Sequence, residues 1–350
     1  MKKRIIIVLL LPFLILGFVY IDILNTGYSV IKSYSSKQIS ADEINEQQRV
    51  LLVSYFRSGS SWTGGLLSRS PNTFYVYEPL HLDDPLVPAG DQEMLRGNMR
   101  PRLEELFHCG ISQQFLTHRK QFSPLYPKCS PKEKCTTNTE DLTKQCTSSD
   151  FIIIKSVRYL LSEVEDLWIL PSLQNIKVVW LVRDPRGVLN SLSHMEKSMK
   201  DRRKNSCSKM REDIQSYQVL KFLYPNNIFF VRYEDLARYP LHMSLLLWRF
   251  ISGQRSCEEI PLEWKEYLNV SVTPKNAGVG VGSYKVEKKS TQEWQDWRLS
   301  ISPKLLKESE AECEDVIQTL GYKLLGNINN AKNFSYSVLQ QDICKDVPCH

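Results

Sequence analysis

The 350-residue sequence has no Gly-x-x-x-x-Gly-Lys-Ser/Thr loop, no paired Cys-x-x-Cys, no internal repeat and no strong excess of either charge. Each absence removes a class. Without the lysine and hydroxyl of the first motif, the phosphate-cradling loop of P-loop kinases and NTPases is missing, and with it the usual magnesium ligand. Without paired Cys-x-x-Cys spacing, zinc is a poor explanation for the cysteines. The missing repeat excludes solenoids and propellers. The 45 Lys and Arg against 39 Asp and Glu leave +6, which suits an anionic ligand but not a chain that coats nucleic acid.

One long apolar run is present, from Ile5 to Ile21, preceded by Lys2, Lys3 and Arg4 and ended by Asp22. Its 17 residues span about 26 Å as a helix, near the thinner end of bilayer cores. Bulky Phe18, Val19, Tyr20 and Ile21 leave no small-x-small cleavage site. The basic residues keep the short end cytosolic, and Pro12 is tolerable in a membrane helix. The expected organisation is a cytosolic tail at 1–4, a signal-anchor transmembrane helix at 5–21 and a polar stem at 22–48. A luminal domain then fills 49–326, with a C-terminal tail at 327–350. Nine cysteines agree with an oxidising lumen. Four of them, Cys109, Cys129, Cys135 and Cys146, crowd one region; disulfides are expected, with pairing open and one thiol left over. The sequons Asn269-Val-Ser271 and Asn333-Phe-Ser335 could carry glycans in that compartment.

Within the domain, short apolar runs predict strands at Val50–Val53, Phe74–Tyr77, Phe151–Ile154, Lys177–Val182 and Asn227–Val231. Helical stretches follow, among them one after Pro240 through Trp248 and Phe250 and a last one over Pro303–Leu320. Strands alternating with helices imply an α/β fold, a parallel sheet flanked by helices. The segment from about Arg102 to Ser149 breaks the rhythm and reads as a cysteine-rich insertion near the sheet's carboxyl edge.

Two loops carry chemistry. The first is Ser54-Tyr55-Phe56-Arg57-Ser58-Gly59-Ser60-Ser61-Trp62, after the first strand and opening a helix. Free backbone N–H groups and the helix dipole favour an anion there, Gly59 allows a tight turn, and Arg57 with the serines adds donors. The second is Arg183-Asp184-Pro185-Arg186-Gly187-Val188-Leu189-Asn190-Ser191, after the fourth strand, with Pro185 placed to start a helix. Arg183 and Ser191 are the candidate grips on a second phosphate.

Together the two loops resemble the sulfotransferase signature, one for the 5′-phosphosulfate and one for the 3′-phosphate of PAPS (3′-phosphoadenosine 5′-phosphosulfate). Arg57–Trp62, Phe74–His81, Arg232–Pro240 and Lys288–Ser302 are similar, in order and spacing, to the Golgi galactose, N-acetylglucosamine and N-acetylgalactosamine 6-O-sulfotransferases. The resemblance runs from about Val50 to Leu325. It implies a P-loop-like sulfotransferase fold, PAPS as co-substrate, no metal, a glycan acceptor on a glycoprotein or proteoglycan, and a single-pass type II Golgi membrane protein. Arg57 stands where cytosolic sulfotransferases usually have lysine; it stabilises transferring charge but is a poor proton donor, so that role is unassigned.

Glu78, just past the second strand, is the candidate general base, with His81 the alternative. Lys155 and Arg158 are candidate contacts to sulfonate or an anionic glycan, and Tyr77 to a sugar ring. Tyr233-Glu234-Asp235 is expected to brace the fifth strand. Gly278, Gly280 and Gly282, with Lys289, Ser290 and Trp294, form a candidate lid. Trp297 and Arg298 read as core packing with a surface charge. The rival functions are a catalytically silent luminal glycan-binding protein, a P-loop kinase and a protein-tyrosine sulfotransferase.

Overall fold

The computed structural model describes residues 47–80, 92–121, 138–195, 202–253, 259–272 and 294–341. The chain enters with β1 (Gln48–Ser54), α1 (Ser60–Leu67) and β2 (Thr73–Tyr77). Three helices precede the next strand: α2 (Gln92–Phe107), α3 (Gln113–Gln121) and α4 (Thr139–Thr147). Then come β3 (Phe151–Ser156), α5 (Glu165–Trp168), β4 (Lys177–Val182), α6 (Pro185–Ser193) and α7 (Ser206–Leu223). The last strand, β5 (Ile228–Arg232), leads to α8 (Tyr233–Arg238), α9 (Pro240–Ser252) and α10 (Leu262–Val272). Finally α11 (Trp297–Ser300), α12 (Pro303–Thr319) and α13 (Ile328–Lys332) close the body.

The five strands form one parallel sheet in the order β2-β3-β1-β4-β5. All five expected strands are present. Val50, Leu51, Leu52 and Val53 are wholly buried because β1 is covered on both faces. Strand side chains alternate, so Leu51 and Val53 join one apolar layer while Val50 and Leu52 join the other. Each such side chain contributes about 1.5–3 kcal/mol on burial. Strand order reverses at β1, which places a crevice beyond the carboxyl ends of β1 and β4. Both candidate loops leave from those two strands, where Ser54 is paired with Leu181.

Helix starts follow their caps. Asp184 caps α6 by accepting from the Arg186 N–H at 3.0 Å, with Pro185 in the first turn. Ser302 caps α12 through Leu305 N–H at 3.1 Å, again ahead of a proline.

Two expectations change. The segment expected as an insertion at the carboxyl edge contains the last turns of α2 and all of α3 and α4, and its disulfide, Cys109–Cys146, lies at the opposite end of the sheet. The reason is connectivity: Cys146 precedes β3 by a few residues, so it must sit where that strand begins. Gln47, just before β1, accordingly donates to Cys146 O at 2.7 Å. The segment expected as a C-terminal tail is packed into the domain. Ala331, Val338 and Leu339 are buried, and Tyr322 pairs with Leu339. A second disulfide, Cys207–Cys313, joins α7 to α12 across 106 residues.

The apolar run at 5–21 and the stem to residue 46 lie outside the described residues, as do His81, Cys129, Cys135, Gly278, Gly280, Gly282, Lys289 and Ser290. Among the described residues no helix is long and apolar enough to cross a membrane.

Candidate active site

The first loop is held by backbone geometry and by one buried hydrogen-bond chain. Arg57 (φ 67°) and Gly59 (φ 86°) are both left-handed, which bends the chain sharply before α1. Only glycine fits at 59: a Cβ there would lie 2.4 Å from a ring carbon of Tyr233. Beneath the loop, the Tyr55 hydroxyl donates to Asp213 Oδ2 at 2.7 Å and accepts from Trp180 Nε1 at 3.2 Å. Burial pushes the Asp213 carboxyl up to about 7 despite these bonds. Ser54 donates to Leu181 O on the neighbouring strand, and Arg158 lies over the Phe56 ring.

The second loop is held by ions. Arg186 is completely buried and takes both oxygens of Asp184, at 3.0 and 2.8 Å, and Glu310 Oε1 at 2.5 Å. Glu310 in turn accepts from the Leu325 and Gly326 N–H groups. Gly187 packs under Trp297, where a Cβ would meet the indole at 3.0 Å. Val188 and Leu189 are in the apolar core, and Asn190 donates to Ser300 Oγ at 2.9 Å. The side chains of Asp184, Arg186, Val188, Leu189 and Asn190, grouped by sequence with the anion grips, are thus committed within the fold. They shape the loop.

The two loops meet directly. Arg57 Nε donates to Ser191 Oγ at 2.9 Å, and an Arg183 Nη donates to Arg57 O at 2.9 Å. Tyr233 lies between them, against Gly59 on one side and with the Arg183 guanidinium 4.9 Å from its ring on the other. Three buried donors here have no hydrogen-bond partner among the described residues: Ser58 Oγ, Trp62 Nε1 and Arg183 Nε. A buried donor without a partner carries a desolvation cost of about 1–3 kcal/mol.

At the edge of the first loop, Ser61 Oγ lies 3.4 Å from the Tyr77 hydroxyl. Tyr77 itself is buried and has the Lys155 ammonium 4.5 Å from its ring. Glu78 follows, left-handed (φ 45°) and buried. It bonds Lys155 Nζ, accepts from an Arg158 Nη at 2.6 Å and takes the Val157 N–H at 3.1 Å. Burial alone would raise this carboxyl, but the charges of Lys155 and Arg158 and the bonds from Lys155 and Val157 hold it below the usual range. These ion pairs therefore contribute stability at neutral pH that is lost only as pH falls through the lowered value.

Elsewhere, Arg232 grips Asp235 at 2.6 and 3.0 Å, the brace expected of that triplet. Arg298 is not a surface charge: it is fully buried and donates to the carbonyls of Asn330, Ala331, Asn333 and Tyr336. Sequence reasoning missed Asp213, Glu310 and Tyr322. None sits in a motif, and each acts through a partner far along the chain.

A sulfotransferase domain model matches residues 47–321. The chain is 26% identical to carbohydrate sulfotransferase 1 of Danio rerio, covering 85% of this chain and 83% of that one. It is likewise 26% identical to carbohydrate sulfotransferase 4 of Mus musculus, covering 85% and 88%. Among solved structures it is similar to the sulfotransferase domain of the Synechococcus PCC 7002 olefin synthase, 20% identical with a TM-score of 0.45 over 80% and 98% of the two chains. A domain match over that much of the sequence decides the family: the chain is a sulfotransferase, an enzyme of the family that takes its sulfuryl group from PAPS, with carbohydrate sulfotransferases among its relatives.

Proposed function

We propose that the enzyme transfers the sulfuryl group of PAPS to a sugar hydroxyl in glycoprotein or proteoglycan glycans, at the 6-position of N-acetylglucosamine, galactose or N-acetylgalactosamine. It does so as a type II membrane protein of the Golgi with its catalytic body in the lumen. The observation that carries this reading is the junction of the two loops through Arg57 and Ser191, with unpaired buried donors in each. One bisphosphorylated ligand spanning both loops accounts for two anion-binding loops in direct contact. The sugar acceptor is supported by the carbohydrate sulfotransferase relatives, which align over 85% of the chain.

In this assignment the first loop holds the 5′-phosphosulfate and the second holds the 3′-phosphate. The acceptor oxygen attacks sulfur as the bond from sulfur to the 5′-phosphate oxygen breaks, so adenosine 3′,5′-bisphosphate leaves and the hydroxyl proton must go to a base. Positioning and fixed charge supply most of the acceleration. Arg57 stabilises the transferring group. Glu78 takes the proton. Its lowered affinity for protons keeps it ionised, and the transfer becomes favourable once the attacking oxygen has begun to bond to sulfur. Lys155, hydrogen-bonded to Glu78, is assigned the proton-donor role that Arg57 cannot take.

The test is incubation of the purified full-length protein with labelled PAPS and a glycan panel, with and without EDTA, followed by mapping of the sulfated carbon. Label on a sugar 6-hydroxyl supports the proposal. PAPS binding with no transfer to any glycan would instead favour a silent glycan-binding protein, and label on peptide tyrosine a protein-tyrosine sulfotransferase. Glu78→Gln should lower kcat by about 100-fold or more with PAPS affinity little changed; retention of most activity would remove Glu78 from the base role.

A further inference from the structure

In the Arg232–Asp235 segment, Asp235 binds Arg232, but Glu234 does something else. It is completely buried, and neither of its hydrogen bonds is to a cation. Oε1 accepts the Asp184 N–H at 3.1 Å, and Oε2 accepts the Tyr322 hydroxyl at 2.6 Å. Asp184 stands between Arg183 and the first residue of α6, so this backbone bond fixes the point where the second loop leaves β4. The Asp184 side chain cannot do that work, because it is committed to Arg186.

Tyr322 is also completely buried, and its position is set by the C-terminal segment. Lys323 N–H donates to Val338 O, Gln340 N–H to Gly321 O, and Arg232 to the carbonyls of Gly321 and Gln341. Arg298 holds the intervening turn through four carbonyls. These bonds converge on one hydroxyl, and that hydroxyl reaches the nucleotide loop through one carboxyl.

We propose that Glu234 and Tyr322 are positioning residues for the second anion loop, and that the segment from Gly321 to Gln341 is a strap that holds the Tyr322 hydroxyl against Glu234. The inference rests on the assignment of that loop to the 3′-phosphate. The groups facing Glu234 are the Asp184 carboxylate, the Arg183 guanidinium and the Tyr322 hydroxyl, with Arg232 beside the Tyr322 ring. Burial and the Asp184 charge push the Glu234 carboxyl up to about 7, against the Tyr322 bond and the Arg183 charge. A phosphate on Arg183 offsets that charge and favours the protonated carboxyl further. Nucleotide binding is thus linked to proton uptake, and affinity falls as pH rises through the neutral range.

The experiment uses the purified full-length enzyme, adenosine 3′,5′-bisphosphate as probe in calorimetry, and PAPS kinetics between about pH 6 and pH 8. Tyr322→Phe keeps the ring and removes the hydroxyl; its Kd for the bisphosphate and KM for PAPS should rise about fivefold with kcat within about twofold. Glu234→Gln should retain wild-type affinity near pH 6 and lose the weakening seen toward pH 8, because an amide does not titrate. Either variant binding the bisphosphate as wild type does at every pH, with only Tm lowered, would reduce that residue to packing and overturn the proposal. Failure of the wild-type enzyme to bind the bisphosphate at all would overturn the nucleotide assignment beneath it.

Discussion

The two loops proposed to hold the nucleotide leave adjacent strands and touch through Arg57 and Ser191, yet they are built by different means. The first is shaped by its own backbone: two left-handed residues, a glycine pressed against Tyr233, and a serine-rich helix start. The second is shaped by side chains drawn from elsewhere, with Glu310 124 residues from Arg186 and Glu234 50 from Asp184. A loop set mainly by local geometry draws fewer supports from the rest of the fold, here Asp213 and Trp180 on Tyr55 and the Tyr233 ring on Gly59. A loop set by buried ions is only as good as the packing that delivers its counter-ions.

Substitutions should separate the two designs. Glu310→Ala has the largest expected effect, because it leaves Arg186 buried and underpaired and uncovers the Leu325 and Gly326 N–H groups. Unfolding free energy should drop by about 3–5 kcal/mol, read by denaturant titration. Gly59→Ala is next, at about 2–3 kcal/mol, from a left-handed alanine and its clash with Tyr233. Its loss should appear mainly as weaker nucleotide binding in calorimetry, since the strain sits in the loop. An equal loss of Tm in both variants would erase the contrast. Ser191→Ala is the smallest: one hydrogen bond between the loops, about 1 kcal/mol, or roughly a fivefold rise in KM for PAPS.

The same division explains what could be read from the sequence. Apolar runs marked all five strands because each is covered by helices on both faces, and Pro185 and Pro303 marked helix starts. The first loop was legible because its motif is contiguous, although part of what supports it is not. Asp213 could not be read, since its partner Tyr55 lies 158 residues away and α7 looks like any mixed-charge helix. Arg298 was misjudged because a guanidinium caged by four backbone carbonyls leaves no trace in composition. Prolines, cysteines and charges between 102 and 149 hid helices, one of which carries Pro101 in its interior. The resemblance in the loops named the donor chemistry; it did not reveal how the two loops are held.

The Cys207–Cys313 bond gains a meaning from this arrangement. Cys207 lies on α7, the helix that supplies Asp213 to Tyr55; Cys313 lies on α12, the helix that supplies Glu310 to Arg186. A single covalent clasp therefore spans the supports of both loops. The same two helices are joined a second time by Arg211, which donates to both oxygens of Asp315 and to Glu312 O. Two loops built by different means are thereby referred to one pair of helices that are covalently joined.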